Sequence, residues 1–147
     1  GSSMLIEFIV PASPVPQPRQ QHRGFRTKDD SIRVHNYTPR NHAVNAFKAT
    51  VRMAFRAAYG GPPIQGPMHV DATFIFPRPK RLFWKTKLMP REPHSIKPDR
   101  DNCDKALLDA LKGLAFVDDS QAYAGMIEKW IAAGDEQPHV KVRISTP

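Results

Sequence analysis

One cysteine, Cys103, stands in a chain of 147 residues. With no second thiol in the chain, an internal disulfide framework is excluded. The six histidines, at positions 22, 35, 42, 69, 94 and 139, are scattered, and none has the spacing of a zinc site, so structural zinc is not expected. No apolar run approaches the length of a signal peptide or a bilayer span, and no internal repeat is visible. These absences point to a soluble, intracellular, cytoplasmic protein with no membrane partner. The length suits a single domain that can bury a real core without staples. Gly1, Ser2 and Ser3 read as the remnant of an expression tag, which leaves residues 4–147 as the domain.

Acidic residues are the other scarcity, 14 against 22 basic ones for a net charge of +8. Their placement is uneven. Residues 17–40 carry six basic side chains and two acidic ones, residues 41–60 three basic and none acidic, and residues 78–100 eight basic and two acidic. From residue 101 onward the balance reverses to five basic against eight acidic. A basic surface beside an acidic pocket fits a polyanion-binding protein better than one that merely needs charge for solubility.

The chain order alternates strand and helix. "MLIEFIV", residues 4–10, reads as a strand that the prolines of "PASPVPQPRQ" terminate. A short strand is expected in "SIRVHNYTP", after which Thr38 and Pro39 suit a helix cap and first turn. That helix runs to Gly60, with Val44, Phe47, Val51, Phe55 and Ala58 as its buried stripe and Lys48, Arg52 and Arg56 as a basic row beside it. The row is either a solvated face or the flank of a bound backbone. "MHVDATFIF" alternates as a strand with one buried face. The following segment, residues 77–99, has five prolines, no period and a basic excess, the marks of a functional loop. Phe83 and Trp84 sit among its cations, placed either to stack on unpaired bases or to anchor the loop to the core. A last strand is expected in "HVKVRIS".

Against this background "KPDRDNCDKALLDALKGLAFVDDSQ", residues 97–121, gathers six carboxylates. A helix is expected from about Asp101, with Cys103, Leu107, Ala110, Leu111 and Leu114 inward and Asp101, Lys105, Asp109 and Lys112 outward. Gly113 suits its end. "VDDSQ" then turns the chain into a strand, roughly residues 121–131, which can bring Asp118 and Asp119 back toward Asp99 and Asp101. Converging carboxylates repel unless a cation offsets them. Two aspartates at a helix start plus an oxygen donor from the turn make a hard face suited to Mg²⁺. Lys105, one turn beyond Asp101, would meet a phosphate. The plainer alternative is that these aspartates cap a helix and decorate a surface.

The same stretch resembles the RusA family of Holliday-junction resolvases, in which a KPDxDN motif leads a helix with a lysine near its start and a DDxQ turn follows. "VPASPVPQPR" resembles the family's first strand and proline-arginine loop, and Lys129 in "IEKW" matches its lysine on the strand after DDxQ. The resemblance covers nearly the whole domain. It implies a homodimeric, Mg²⁺-dependent endonuclease, with Mn²⁺ as a substitute ion, that cuts branched DNA and four-way junctions above all, in recombination and repair. Carried onto this chain, the metal ligands fall on Asp99, Asp101 and Asp119, with Asp118 beside them, and the catalytic lysine falls on Lys105. Cys103 stands where the family usually has a larger aliphatic residue.

The expected fold is therefore α+β, a mixed sheet packed by two main helices in one small domain that forms a homodimer. The expected reaction is hydrolysis of a phosphodiester to leave a 5′-phosphate, with a two-fold dimer supplying paired symmetric nicks. Arg19, Arg78, Lys80, Arg81, Phe83, Trp84, Lys85, Lys87 and Lys129 are the expected nucleic-acid contacts. Two other classes share some of these features: a non-catalytic module that binds branched DNA, and a glycosyltransferase with a DxD metal site, for which the chain leaves little room.

Overall fold

Alternation in the first strand becomes burial residue by residue. In β1 (Leu5–Val10), Ile6, Phe8 and Val10 are buried while Leu5, Glu7 and Ile9 face solvent. The structure, a computed structural model, describes residues 3–18, 39–84 and 88–147. The expected strand in "SIRVHNYTP", the Thr38 cap, Arg19, Lys85 and Lys87 lie outside the described residues. Next come α1 (Pro39–Ala58), β2 (Met68–Phe76), β3 (Glu92–Pro93), α2 (Arg100–Leu111), β4 (Ala122–Ala124), β5 (Ile127–Ile131) and β6 (His139–Ser145).

The strands form one mixed sheet in the order β1-β6-β2-β5-β3, with β4 beside β2. β6 runs antiparallel to both β1 and β2, whereas β5 runs parallel to β2. Parallel partners need a crossover. Helix α1 carries the chain from β1 to β2 and α2 from β2 to β5, and both crossovers advance the same way across the sheet. Right-handed connections then put both helices on one face, and α1 packs on α2 and on β1. Val44, Phe47, Val51 and Phe55 of α1 and Cys103, Ala106, Leu107, Ala110 and Leu111 of α2 share one core with Val70, Ala72 and Phe74 of β2 and Val140, Val142 and Ile144 of β6. The α+β architecture is thus as expected. Ala58 is an exception, exposed because the stripe closes at Phe55 and Tyr59 turns inward instead. Lys48 leaves the solvated row to bond Asp109 of α2 at 2.5 Å, so one member of the row joins the helices.

The expected strand over residues 121–131 is broken into β4 and β5 at Gly125. Its φ is +153°, and a Cβ there would lie 1.7 Å from the Val70 carbonyl oxygen. Only glycine lets the chain approach β2 so closely. The break is held from β2: Met126 N donates to Asp71 Oδ1 at 2.8 Å, and Ala72 N donates to the Met126 carbonyl at 3.0 Å.

The described residues of the loop expected over residues 77–99 are tied together by Arg78. Expected on a phosphate-binding surface, Arg78 is instead 7 % exposed. Its guanidinium donates to the carbonyls of Leu82, Pro90 and Ala132 and to the Glu92 carboxylate at 2.7 Å, and lies 5.1 Å from the Trp84 ring centroid. One planar fork of donors can satisfy this many acceptors at once. Lower in the same region Arg91 and Glu136 pair at 2.5 Å. The hydrogen bonds from Arg91 hold the Glu136 carboxyl down near 2.

Arg78→Ala should cost about 3 kcal/mol, since it strands buried carbonyls and the Glu92 carboxylate together. Thermal denaturation should show a loss of roughly 10 °C in Tm, only partly restored in Arg78→Lys because an ammonium cannot span the fork. An unchanged Tm in Arg78→Ala would show that the loop is held by something else.

Candidate active site

The acidic stretch is assembled at the start of α2 and in the turn that leads into β4. Asp99 is the N-cap residue, and its carbonyl accepts from Asn102 N and Cys103 N at 3.1 and 3.2 Å. Its carboxylate makes no capping hydrogen bond. The plain reading of Asp99 as a side-chain cap therefore fails. Two residues into the helix Asp101 is exposed, and it lines an open groove of about 760 Å³ with Arg100, Met126 and Glu128. Lys105 is exposed on the same helical face. The core side of α2 is as the period predicts, and the Cys103 thiol is pushed up to about 11 by burial.

The turn after α2 divides the labour between its two aspartates. Asp118 caps the single 3-10 turn Asp119–Gln121: its carboxylate accepts from Ser120 N, while Gln121 Oε1 accepts from Asp118 N at 2.9 Å and from Val117 N at 2.8 Å. Gln121 Nε2 donates to the carbonyls of Ile64 and Gly66. One amide thus satisfies two donors and two acceptors, which explains why glutamine occupies the fourth place of DDSQ. Asp118 is spent on the turn. Asp119 is exposed and takes no part in that cap.

Asp104, one of the six carboxylates of residues 97–121, had no role assigned from the sequence. Half-buried between the two elements, its carboxyl is pushed above the usual aspartate range by burial and further by the charges of Asp101 and Asp119. The helix start and the turn therefore meet electrostatically. The signal available in the sequence was its position one place before Lys105, on the edge between the buried and exposed faces. Among the described residues no three histidine, cysteine, aspartate or glutamate side chains lie close enough together to hold a metal ion. Asp99, Asp101 and Asp119 are thus not drawn into one ligating group. In kind they fit a hard divalent cation, being carboxylates that repel one another where they approach.

The loop ahead of Asp99 is held from below. Lys129, expected among the nucleic-acid contacts, points its Nζ at the chain and donates to the carbonyls of Ile96 and Pro98 at 2.6 and 2.5 Å. His94 stacks on Phe76 with ring centroids 4.1 Å apart. Burial and the nearby Lys129 charge both lower its pKa. On the other side of α2, Gln17 N donates to the Asn102 carbonyl at 3.0 Å, so the proline loop that leads toward Arg19 is tied to the helix start.

The sequence profile of the RusA endodeoxyribonucleases matches residues 11–145. The chain belongs to the RusA family. The match takes in every element from the proline loop to β6, including both acidic segments. Among curated protein sequences nothing matches the chain. No described helix is long and apolar enough to cross a membrane. RusA membership makes the chain one of a family of endodeoxyribonucleases. Of the remaining expected contacts, Lys80, Arg81, Phe83 and Trp84 are all exposed, with Trp84 resting on the buried Arg78.

The crowding of Asp104 has a consequence for stability. A carboxyl whose folded-state pKa is raised stabilises the fold below its ordinary pKa and loses that contribution as the pH climbs through the raised value. Asp104→Asn should therefore raise the Tm of the metal-free protein at pH 7, with the gain shrinking as the pH is lowered and the wild-type carboxyl takes up its proton. Melting curves between pH 4 and 8 check this, and a gain that grows on acidification would contradict the crowding.

Proposed function

We propose that this chain is a Mg²⁺-dependent endodeoxyribonuclease that resolves four-way DNA junctions as a homodimer. The observation that carries the proposal is the acidic α2 start and DDSQ turn, set into an otherwise basic chain of the RusA family. Asp99, Asp101 and Asp119 would hold the ion, and Asp118 would keep the turn that carries Asp119 in shape. A bound Mg²⁺ supplies a lowered pKa for water and offsets the charge that develops on phosphorus.

Each protein group then has a defined task. Lys105 donates to a non-bridging oxygen of the scissile phosphate, where negative charge accumulates as water adds in line and the 3′ oxygen leaves. The products are a 5′-phosphate and a 3′-hydroxyl. Lys80 and Arg81 bind flanking phosphates, and Phe83 and Trp84 offer ring faces to bases unstacked at the junction centre. One site makes one nick; a two-fold pair of chains makes the two symmetric nicks that resolution needs.

Asp101→Asn should reduce Mg²⁺-supported junction cleavage to background and leave junction binding unchanged or tighter, because the lost charge is a ligand to the ion and a source of repulsion toward DNA. Asp99→Asn and Asp119→Asn should behave alike. Lys105→Ala should slow single-turnover cleavage more than it weakens binding. A gel assay with a labelled four-way junction, a duplex and a single strand decides. Wild-type protein that binds the junction tightly yet never cuts it in Mg²⁺ or Mn²⁺ would point to a binding module instead.

Replacing Lys80 and Arg81 by Ala should flatten the dependence of log affinity on log salt by roughly 0.9 for each lost phosphate contact, for junction and duplex equally. Phe83→Ala with Trp84→Ala should leave that slope nearly unchanged and lower the preference for junction over duplex. Fluorescence anisotropy across a salt series measures both quantities.

A further inference from the structure

We infer that Lys129 is a positioning residue, a strut that fixes the backbone ahead of Asp99, and not a DNA contact; the inference rests on the metal-dependent nuclease reading only where it speaks of rate. The chain approaches α2 from β3, which pairs with the end of β5 through Glu92 with Ile131 and Pro93 with Trp130. His94 N then donates to the Lys129 carbonyl at 3.1 Å. Beyond His94 the regular pairing stops, and Ser95, Ile96 and Lys97 are exposed. The four residues 95–98, between the end of this pairing and the helix N-cap at Asp99, form no strand ladder.

The Lys129 side chain takes over where the ladder ends. Its Nζ donates to the Ile96 carbonyl at 2.6 Å and to the Pro98 carbonyl at 2.5 Å, so the ammonium bridges both sides of Lys97. Hydrogen bonds from a charged donor are short and roughly twice as strong as neutral ones. The strand that carries Lys129 is itself fixed, with Phe74 of β2 directly opposite. Orientation therefore passes from the sheet, through one side chain, to the peptide that precedes Asp99. Two of the three ammonium hydrogens are thus committed to protein carbonyls.

The test compares Lys129→Met, which keeps the stem and removes the donor, with Lys129→Arg, which keeps donors; Lys129→Gln replaces the Met variant if that one does not fold. Amide hydrogen exchange over residues 94–99 should quicken in Lys129→Met and stay unchanged in β2 and β6. Mg²⁺ affinity by calorimetry and single-turnover junction cleavage should each fall by about 10- to 100-fold, the usual cost of losing a group that orients a ligand. Junction affinity measured in Ca²⁺, and its salt slope, should match wild type. Lys129→Arg should recover part of the rate. Unchanged exchange over residues 94–99 would overturn the strut, whether or not the wild type cuts DNA. So would a weakened, flatter salt dependence with an unchanged rate. Absence of cleavage by the wild type would instead count against the nuclease reading, and the exchange result would still decide the role of Lys129.

Discussion

The crowding of one carboxyl, Asp104, is the constraint that the surrounding structure has to meet. Burial and the charges of Asp101 and Asp119 push it above the usual aspartate range, and like charges do not gather without being held. The holding is done by side chains that act on the backbone. Gln121 ties the turn to Ile64 and Gly66, Asp118 caps it, and Lys129 grips the peptides ahead of Asp99. Each of these acts on main-chain atoms, and Asp101 and Asp119 are exposed.

The sheet makes this possible at a distance. Parallel pairing of β2 with β5 forces a crossover, and within it β3 and the residues that follow run back along β5, so the first turn of α2 lies near where β5 begins. The close approach at Gly125 lets β4 and β5 follow β2 in succession, with the DDSQ turn leading into β4. A second consequence of both helices lying on one face is that the opposite face, with Glu7, Asp71, Lys141 and Arg143, keeps its charges in mixed rows. The basic character of the chain is therefore concentrated in the loops and helices.

Much of this was legible in the sequence, for reasons that lie in periodicity. The 2-residue alternation of β1, β2 and β6 and the stripes of α1 and α2 translate directly into burial, because a single buried face leaves little choice of register. The KPDxDN and DDxQ segments were legible for a different reason, that their spacing is fixed by one helix of set length. Roles that depend on where a long side chain bends were not legible. Arg78 sits in a stretch whose charge suggested phosphate binding, Lys129 on a strand in the acidic half of the chain, and both turn back onto carbonyls, which no local pattern announces. Asp104 was missed because three-residue spacing places it on the border of two faces. The break at Gly125 was missed because a lone glycine within a strand has several explanations.

Cys103 is the one thiol of the chain. Packed into the core under α2 and kept protonated by its surroundings, it offers almost no thiolate to an electrophile. For chemical labelling the protein therefore behaves as a scaffold that already lacks cysteine. A thiol introduced at an exposed site on the basic loop or on the open face of the sheet would be the sole reactive one. Fluorophores or spin labels could then be attached at single chosen sites without first altering the native sequence.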